Sequence, residues 1–256
     1  MTRTRPLHPY LDRPTPLAFA HRGGAAGGIE NTAAAFRRAA ELGYRYFETD
    51  VHATADGRLV AFHDATLDRV TDARGRIGAL SWAEVARARV AGREPLPLLA
   101  DLLAEFPDAR WNVDVKAPPA LLPLLDLIRS TDSWDRVCVG SFSEARVARA
   151  ARLAGPRLAT SYGVRGVLGL RLSSLGVPFP VRRGAVCAQV PVEQAGVRVV
   201  DRRFVARAHA RGLQVHVWTV NEADRMEALL DLGVDGIMTD HLETLRAVFE
   251  ARGVWR

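Results

Sequence analysis

Short hydrophobic runs along this chain alternate with longer segments whose apolar residues recur at helical spacing. Strand-like runs fall at residues 17–22, 45–51, 111–116, 137–142, 157–161, 185–190, 215–220 and 236–239. Helical patterns lie between them at 33–42, 98–106, 121–129, 144–153, 202–211 and 222–232. A further strand at 59–63 follows the Asp56-Gly57 turn, and residues 75–94 carry an insertion with one helix near 82–89. Setting the further strand aside leaves eight strand–helix units. The alternation predicts an α/β chain whose parallel sheet is covered by helices. The count predicts closure into a single (β/α)8 TIM barrel with a small insertion, about 64–96, after the second strand. Residues 1–16 are then an N-terminal extension and 17–256 the barrel domain. Residues 164–180 fit least well, because glycines and prolines interrupt their helical pattern.

Composition agrees with that picture. The 256 residues match a barrel of this type, typically about 250 residues, and 48% of them are hydrophobic. The formal charge of +6 raises nucleic acid as a partner. Yet the basic residues are nearly all arginine and scattered, and pairs such as Arg37-Arg38, Arg182-Arg183 and Arg202-Arg203 have no aromatic interleaving. They read as a solvated surface whose field steers an anion toward a cleft, not as a specific nucleic-acid site. Cys138 and Cys187 sit inside apolar runs and read as buried thiols. The first 16 residues are broken by Asp12, Arg13 and Pro14, so they lack a signal peptide's apolar stretch. No later run is long and apolar enough for a transmembrane segment. The expectation is a cytoplasmic protein; its oligomeric state is not written in the sequence.

Candidate chemistry concentrates in four segments: His21–Gly23, Glu30–Thr32, Glu48–Asp50 and His63-Asp64. Side chains alternate along a strand, so Glu48 and Asp50 face the same way, as do Asp114 and Lys116. These residues and the two histidines fall at strand ends, which meet on one face of a parallel barrel. Three carboxylates from two strands suit a hard cation such as Mg2+ or Ca2+, with Mn2+ also compatible. The alternative is that Glu48 and Asp50 pair with neighbouring arginines. His21 and His63 are candidates for general acid and base. His8, His52, His209, His216 and His241 are read as structural. Arg22 and Lys116 suit phosphate oxygens, and Lys116 is the only lysine in the chain. Asn31 and Thr32 read equally well as the N-cap of the following helix.

Together, HRG, ENT nine residues after His21, E-x-D, HD and D-x-K resemble the glycerophosphodiester phosphodiesterase family. So do HVWTVN at residues 216–221 and GVDGIMTD at 233–240. The resemblance runs from about residue 18 to about 247. It implies a TIM barrel with His21 and His63 as the acid–base pair. It further implies Glu48, Asp50 and Asp114 as ligands of one divalent metal ion, and Arg22 and Lys116 on the phosphate. Trp218 would line the substrate pocket. The implied reaction is hydrolysis of a small-molecule glycerophosphodiester to glycerol 3-phosphate and an alcohol. This chain departs from the family at Asp114, usually glutamate, at Ile29, often proline before ENT, and at His241-Leu242, where proline often follows TD. Two other readings share these residues. One is a lysophospholipase D or related phospholipid phosphodiesterase, with residues 164–180 as an apolar groove. The other is a barrel that binds phosphorylated ligands without turnover.

Overall fold

The computed structural model describes residues 8–179 and 184–256. Pro180, the Arg182-Arg183 pair and the first seven residues of the expected N-terminal extension lie outside the described residues.

Eight parallel strands form the barrel. They are β1 (Leu17–His21), β2 (Tyr46–Ala53), β3 (Arg110–Val115), β4 (Val137–Gly140), β5 (Ala159–Thr160), β6 (Cys187–Pro191), β7 (Gln214–Trp218) and β8 (Gly236–Thr239). Hydrogen-bonded pairing runs β5-β4-β3-β2-β1-β8-β7-β6. A parallel bridge between Ser161 and Cys187 joins the two ends, so the ring closes. Eight helices follow the strands in turn: α1 (Ala33–Glu41), α2 (Leu99–Glu105), α3 (Leu121–Ser130), α4 (Glu144–Ala154), α5 (Val164–Ser174), α6 (Arg202–His209), α7 (Ala223–Leu232) and α8 (Leu242–Ala251). This is the (β/α)8 architecture that the alternation predicted.

Two apolar layers hold it together. Between strands and helices lies a core that includes Phe36, Phe47 and Trp111, whose rings meet edge-on or tilted at 4.9–5.4 Å. Inside the barrel, a second cluster of Leu17, Phe19, Tyr46, Cys138, Cys187 and Met238 fills the lower half. Tyr10 and Leu11 close it from below, and the Tyr46 hydroxyl donates to the Tyr10 carbonyl at 2.7 Å. Part of the expected N-terminal extension is therefore the barrel's floor. Its apolar side chains bury themselves against the open end that every barrel must cover. Both cysteines are free and buried, as expected.

The further strand is shorter than predicted. Leu59–Ala61 pairs antiparallel with the end of β2 and leaves His63 in the loop beyond. The insertion has its own small core, which includes Phe62, Leu67, Ile77, Val85 and Leu96. The irregular run after residue 164 does begin with a helix. Gly166 serves close packing there, since a Cβ would stand 2.7 Å from the Tyr162 ring. No helix among the described residues is long and apolar enough to cross a membrane.

Candidate active site

The upper half of the barrel carries the opposite chemistry. Leu17, Phe19 and His21 alternate inward along β1, and the last of them opens on a cavity of about 600 Å³. Tyr46, Glu48 and Asp50 repeat the pattern on β2. The register aligns His21 with Glu48 across β1 and β2, and Asp50 with Asp114 across β2 and β3. His21, Arg22, Glu48, Asp50, His63, Asp114, Lys116 and Trp218 all line this cavity. The sequence nominates these eight, and none of the other five histidines lines it. His52 Nε2 donates to the His63 carbonyl at 3.1 Å, and His216 is fully buried against Phe19.

A loop of unusual backbone shapes the corner after β1. Arg22 has φ of 51° and Asn31 of 57°, both left-handed. Gly23 follows at 81°, and a Cβ there would meet Ala35 Cβ at 2.8 Å, so only glycine fits. The turn carries Asn31 under the site. Its Nδ2 donates to Asp50 Oδ2 at 3.1 Å and its Oδ1 accepts from Thr49 Oγ1 at 2.8 Å. Thr32, not Asn31, caps α1, accepting from Ala35 N at 3.2 Å. The two N-cap candidates thus have separate tasks.

Each cavity histidine is held at Nδ1 by an aspartate. His21 Nδ1 is 2.7 Å from Asp240 Oδ1, and His63 Nδ1 is 2.6 Å from Asp64 Oδ1. Asp240 is held by Asn221, whose Nδ2 donates at 3.3 Å. A carboxylate on Nδ1 fixes tautomer and ring plane and leaves Nε2 for proton transfer. Burial pulls the His21 pKa down, but the Asp240 hydrogen bond and the nearby Glu48 charge outweigh it, and the net shift is upward.

The carboxylates and cations form one network. Lys116 Nζ sits 2.8 Å from Asp50 Oδ1 and 2.7 Å from Asp114 Oδ2, binding the aligned pair. Arg22 Nη1 donates to Glu30 Oε1 at 3.0 Å, and Arg22 Nε lies 3.2 Å from Asp50 Oδ2 as an ion pair not aligned for a hydrogen bond. Burial raises the Asp50 pKa, but Lys116 and Arg22 overcome that and hold it below its ordinary value. Glu48 is treated differently. Burial and the Asp50 charge push its pKa well above the usual carboxylate range, because its cationic neighbours compensate incompletely. Asp114 Oδ1 is buried with no hydrogen-bond partner. Among the described residues, no group of three or more His, Cys, Asp or Glu side chains is gathered for metal binding. The ion pairing weighed as an alternative for Glu48 and Asp50 is present here for Asp50, with Lys116 and Arg22.

The opposite wall is apolar. Phe142, Tyr162, Val164, Val167, Leu168 and Val197 line it, and Trp218 packs on Phe142 with centroids 5.6 Å apart. Residues 164–180, read from the sequence as an apolar groove, supply Val164, Val167 and Leu168 to this wall; Phe142, Tyr162 and Val197 carried no such signal, and neither did Asp240, Asp64, Asn221 and Glu30 as partners. Asp240 and Asp64 stood inside motifs already noted; their tasks emerge only when the barrel closes.

Comparison with known proteins agrees with the fold. Residues 21–244 match the model of the glycerophosphoryl diester phosphodiesterase family. A Mycobacterium tuberculosis protein named probable glycerophosphodiester phosphodiesterase 2 is 41% identical, over 93% of this chain and 92% of its own length. A solved structure from Silicibacter pomeroyi has a TM-score of 0.79 at 23% identity, covering 95% of this chain and 97% of that one. Another is an Oleispira antarctica phosphodiesterase in complex with its product sn-glycerol-3-phosphate. It has a TM-score of 0.76 at 21% identity, over 92% and 97% of the two chains. The fold class is a TIM-barrel phosphodiesterase. The chain belongs to the glycerophosphoryl diester phosphodiesterase family, and it is an enzyme of that activity.

Proposed function

We propose that this enzyme cleaves glycerophosphodiesters by histidine acid–base catalysis beside a divalent cation. The observation that carries the reading is the pair of histidines in one cavity, each tied at Nδ1 to its own aspartate. Phosphodiesters resist hydrolysis because they are anionic and their leaving alkoxide is poor. Arg22 and Lys116 would draw the phosphate in and offset its charge. One histidine accepts the nucleophile's proton at Nε2 as its oxygen bonds to phosphorus. The other donates its Nε2 proton to the alcohol oxygen as that P–O bond breaks. The nucleophile is water, or the glycerol 2-hydroxyl in a first step that water completes. Either route ends in glycerol 3-phosphate and a free alcohol.

Glu48, Asp50 and Asp114 are the residues that would hold the cation. The three carboxylates are not gathered around one point, but their chemistry suits a hard ion: Asp114 offers a buried unpartnered oxygen, and burial and the Asp50 charge suppress the ionisation of Glu48, which a cation would restore. When bound, the cation supplies charge stabilisation to the phosphate oxygens. Its identity, Mg2+ or Ca2+ with Mn2+ also compatible, is tested by an activity screen over the three ions after chelation. Glycerophosphocholine turnover is the assay. Full activity in excess EDTA, with no metal in the protein, removes the ion from the reading.

The apolar wall favours a second reading in which the alcohol part is amphiphilic, as in a lysophospholipid. Four of its side chains, Phe142, Val164, Leu168 and Val197, are more than half exposed. Such surface gains most from covering an acyl chain. Parallel assays of glycerophosphocholine and lysophosphatidylcholine separate the two.

A further inference from the structure

Arg69 lies outside the cavity, in the insertion that follows His63, with 47% of its side chain exposed. Exposed arginine pairs usually contribute little, but this guanidinium holds two carboxylates at once. Its Nε donates to Asp64 Oδ2 at 2.6 Å and its Nη2 to Asp64 Oδ1 at 3.2 Å. Its Nη1 donates to Glu30 Oε2 at 3.1 Å and its Nη2 to Glu30 Oε1 at 2.6 Å. Each carboxylate in turn holds one cavity group. Asp64 Oδ1 takes His63 Nδ1, and Glu30 Oε1 takes Arg22 Nη1 at 3.0 Å.

We infer that Arg69 is a positioning residue that sets His63 through Asp64 and Arg22 through Glu30. The planar fork is what the task requires. Five donors in a fixed plane can grip two carboxylates in defined orientations, which a lysine's point charge cannot. Both carboxylates are then spared free rotation, and the rings and forks they hold keep one orientation through turnover. The insertion thereby acquires a role beyond its small core. It carries the clasp that joins the β1 corner to the His63 loop. This inference rests on the reading of His63 as an acid–base residue and Arg22 as a phosphate contact.

The two arms have different kinetic signatures, and that makes the test specific. Asp64→Asn should lower kcat, since it disturbs the ring that moves a proton. Glu30→Gln should chiefly raise KM, since it loosens the phosphate grip. Arg69→Met should do both, with kcat falling about 10–100-fold, the usual effect of losing an outer partner of a site residue. In the Arg69→Met/Asp64→Asn double variant, kcat should fall no further than in the worse single variant. Arg69→Lys should stay closer to Arg69→Met than to the natural protein. Melting curves recorded alongside separate these effects from unfolding, because a merely structural anchor would not split kcat from KM.

Arg69→Met within twofold of the natural protein, a double variant whose losses multiply, or full activity in Arg69→Lys would overturn the inference. His63→Ala distinguishes its failure from that of the underlying reading. Near-normal turnover in His63→Ala sinks the acid–base assignment itself. A collapse of His63→Ala beside an unaffected Arg69→Met sinks only the clasp.

Discussion

The floor and the mouth of the barrel are built by the same strands and obey opposite rules. On β1, Phe19 is fully buried among Tyr46, His216 and Met238, and two residues later His21 stands at the edge of the cavity. On β2, Tyr46 belongs to the floor, while Glu48 and Asp50 are 5% and 2% exposed at the mouth. The floor is a packed apolar plug that lowers the free energy of the fold. The mouth buries charge, which is costly unless every carboxylate and cation is paired. The Glu48 carboxyl and the unpartnered Asp114 oxygen record that the pairing is incomplete. Stability and chemistry are thus separated by about one strand repeat, and substitutions two residues apart should report on different properties.

The largest contrast is between His21→Ala and Phe19→Ala. His21→Ala should lower kcat by roughly 10²–10⁴-fold, the usual worth of general acid–base catalysis. It should change the unfolding free energy far less than its neighbour does. Phe19→Ala should cost about 3–5 kcal/mol of stability, as aromatic truncations in cores do. It should leave kcat within a few-fold while the protein stays folded. Urea unfolding and steady-state kinetics on both variants check this. Equal catalytic losses in the two would break the division between floor and mouth.

A smaller effect should distinguish the two walls of the mouth. Leu168→Ser and Val197→Ser remove apolar contact from the rim opposite the charged wall. Losing roughly 1 kcal/mol of apolar contact predicts a rise of about 3–10-fold in KM for lysophosphatidylcholine. The KM for glycerophosphocholine should stay unchanged. Equal changes for both substrates would mean that the apolar wall does not sense an acyl chain.

How much of this was legible beforehand follows from how local each signal is. Strand ends with E-x-D and D-x-K place their side chains by simple alternation, so Glu48, Asp50, Asp114 and Lys116 could be nominated from spacing, whereas His63 sits in the loop beyond its short strand and was marked only by its motif. The partners could not. Asp240 lies 219 residues from His21, and Arg69 lies 39 from Glu30; only barrel closure and the folded insertion bring them together. Helix α5 was obscured for a different reason. Gly166 and Gly169 look like breaks, yet both are buried and the first makes room for the Tyr162 ring. The floor role of Tyr10 and Leu11 was hidden because three residues of 3-10 helix carry no periodic pattern.

The smallest expected effect belongs on the floor side, where His209 at the end of α6 meets Asp235 just before β8. His209 Nε2 is 2.7 Å from Asp235 Oδ2, which also accepts from Val215 N at 2.8 Å. The Asp235 hydrogen bond raises the His209 pKa against a smaller opposing effect of burial. A raised folded pKa means that the native state favours the protonated ring. That contribution is fully present below the unfolded value of about 6.5 and is lost as pH rises through the higher folded value. The side chain is 43% exposed, so solvent screening limits the gain to about 0.2–1 kcal/mol. His209→Gln should therefore be less stable than the natural protein by that amount at pH 5.5. The gap should narrow at pH 8.5, with kcat unaffected at either pH. Urea midpoints at the two pH values read it directly. A gap that widens toward pH 8.5 would reverse the sign of the linkage, and a loss of kcat would show that the floor and the mouth are not energetically separate after all.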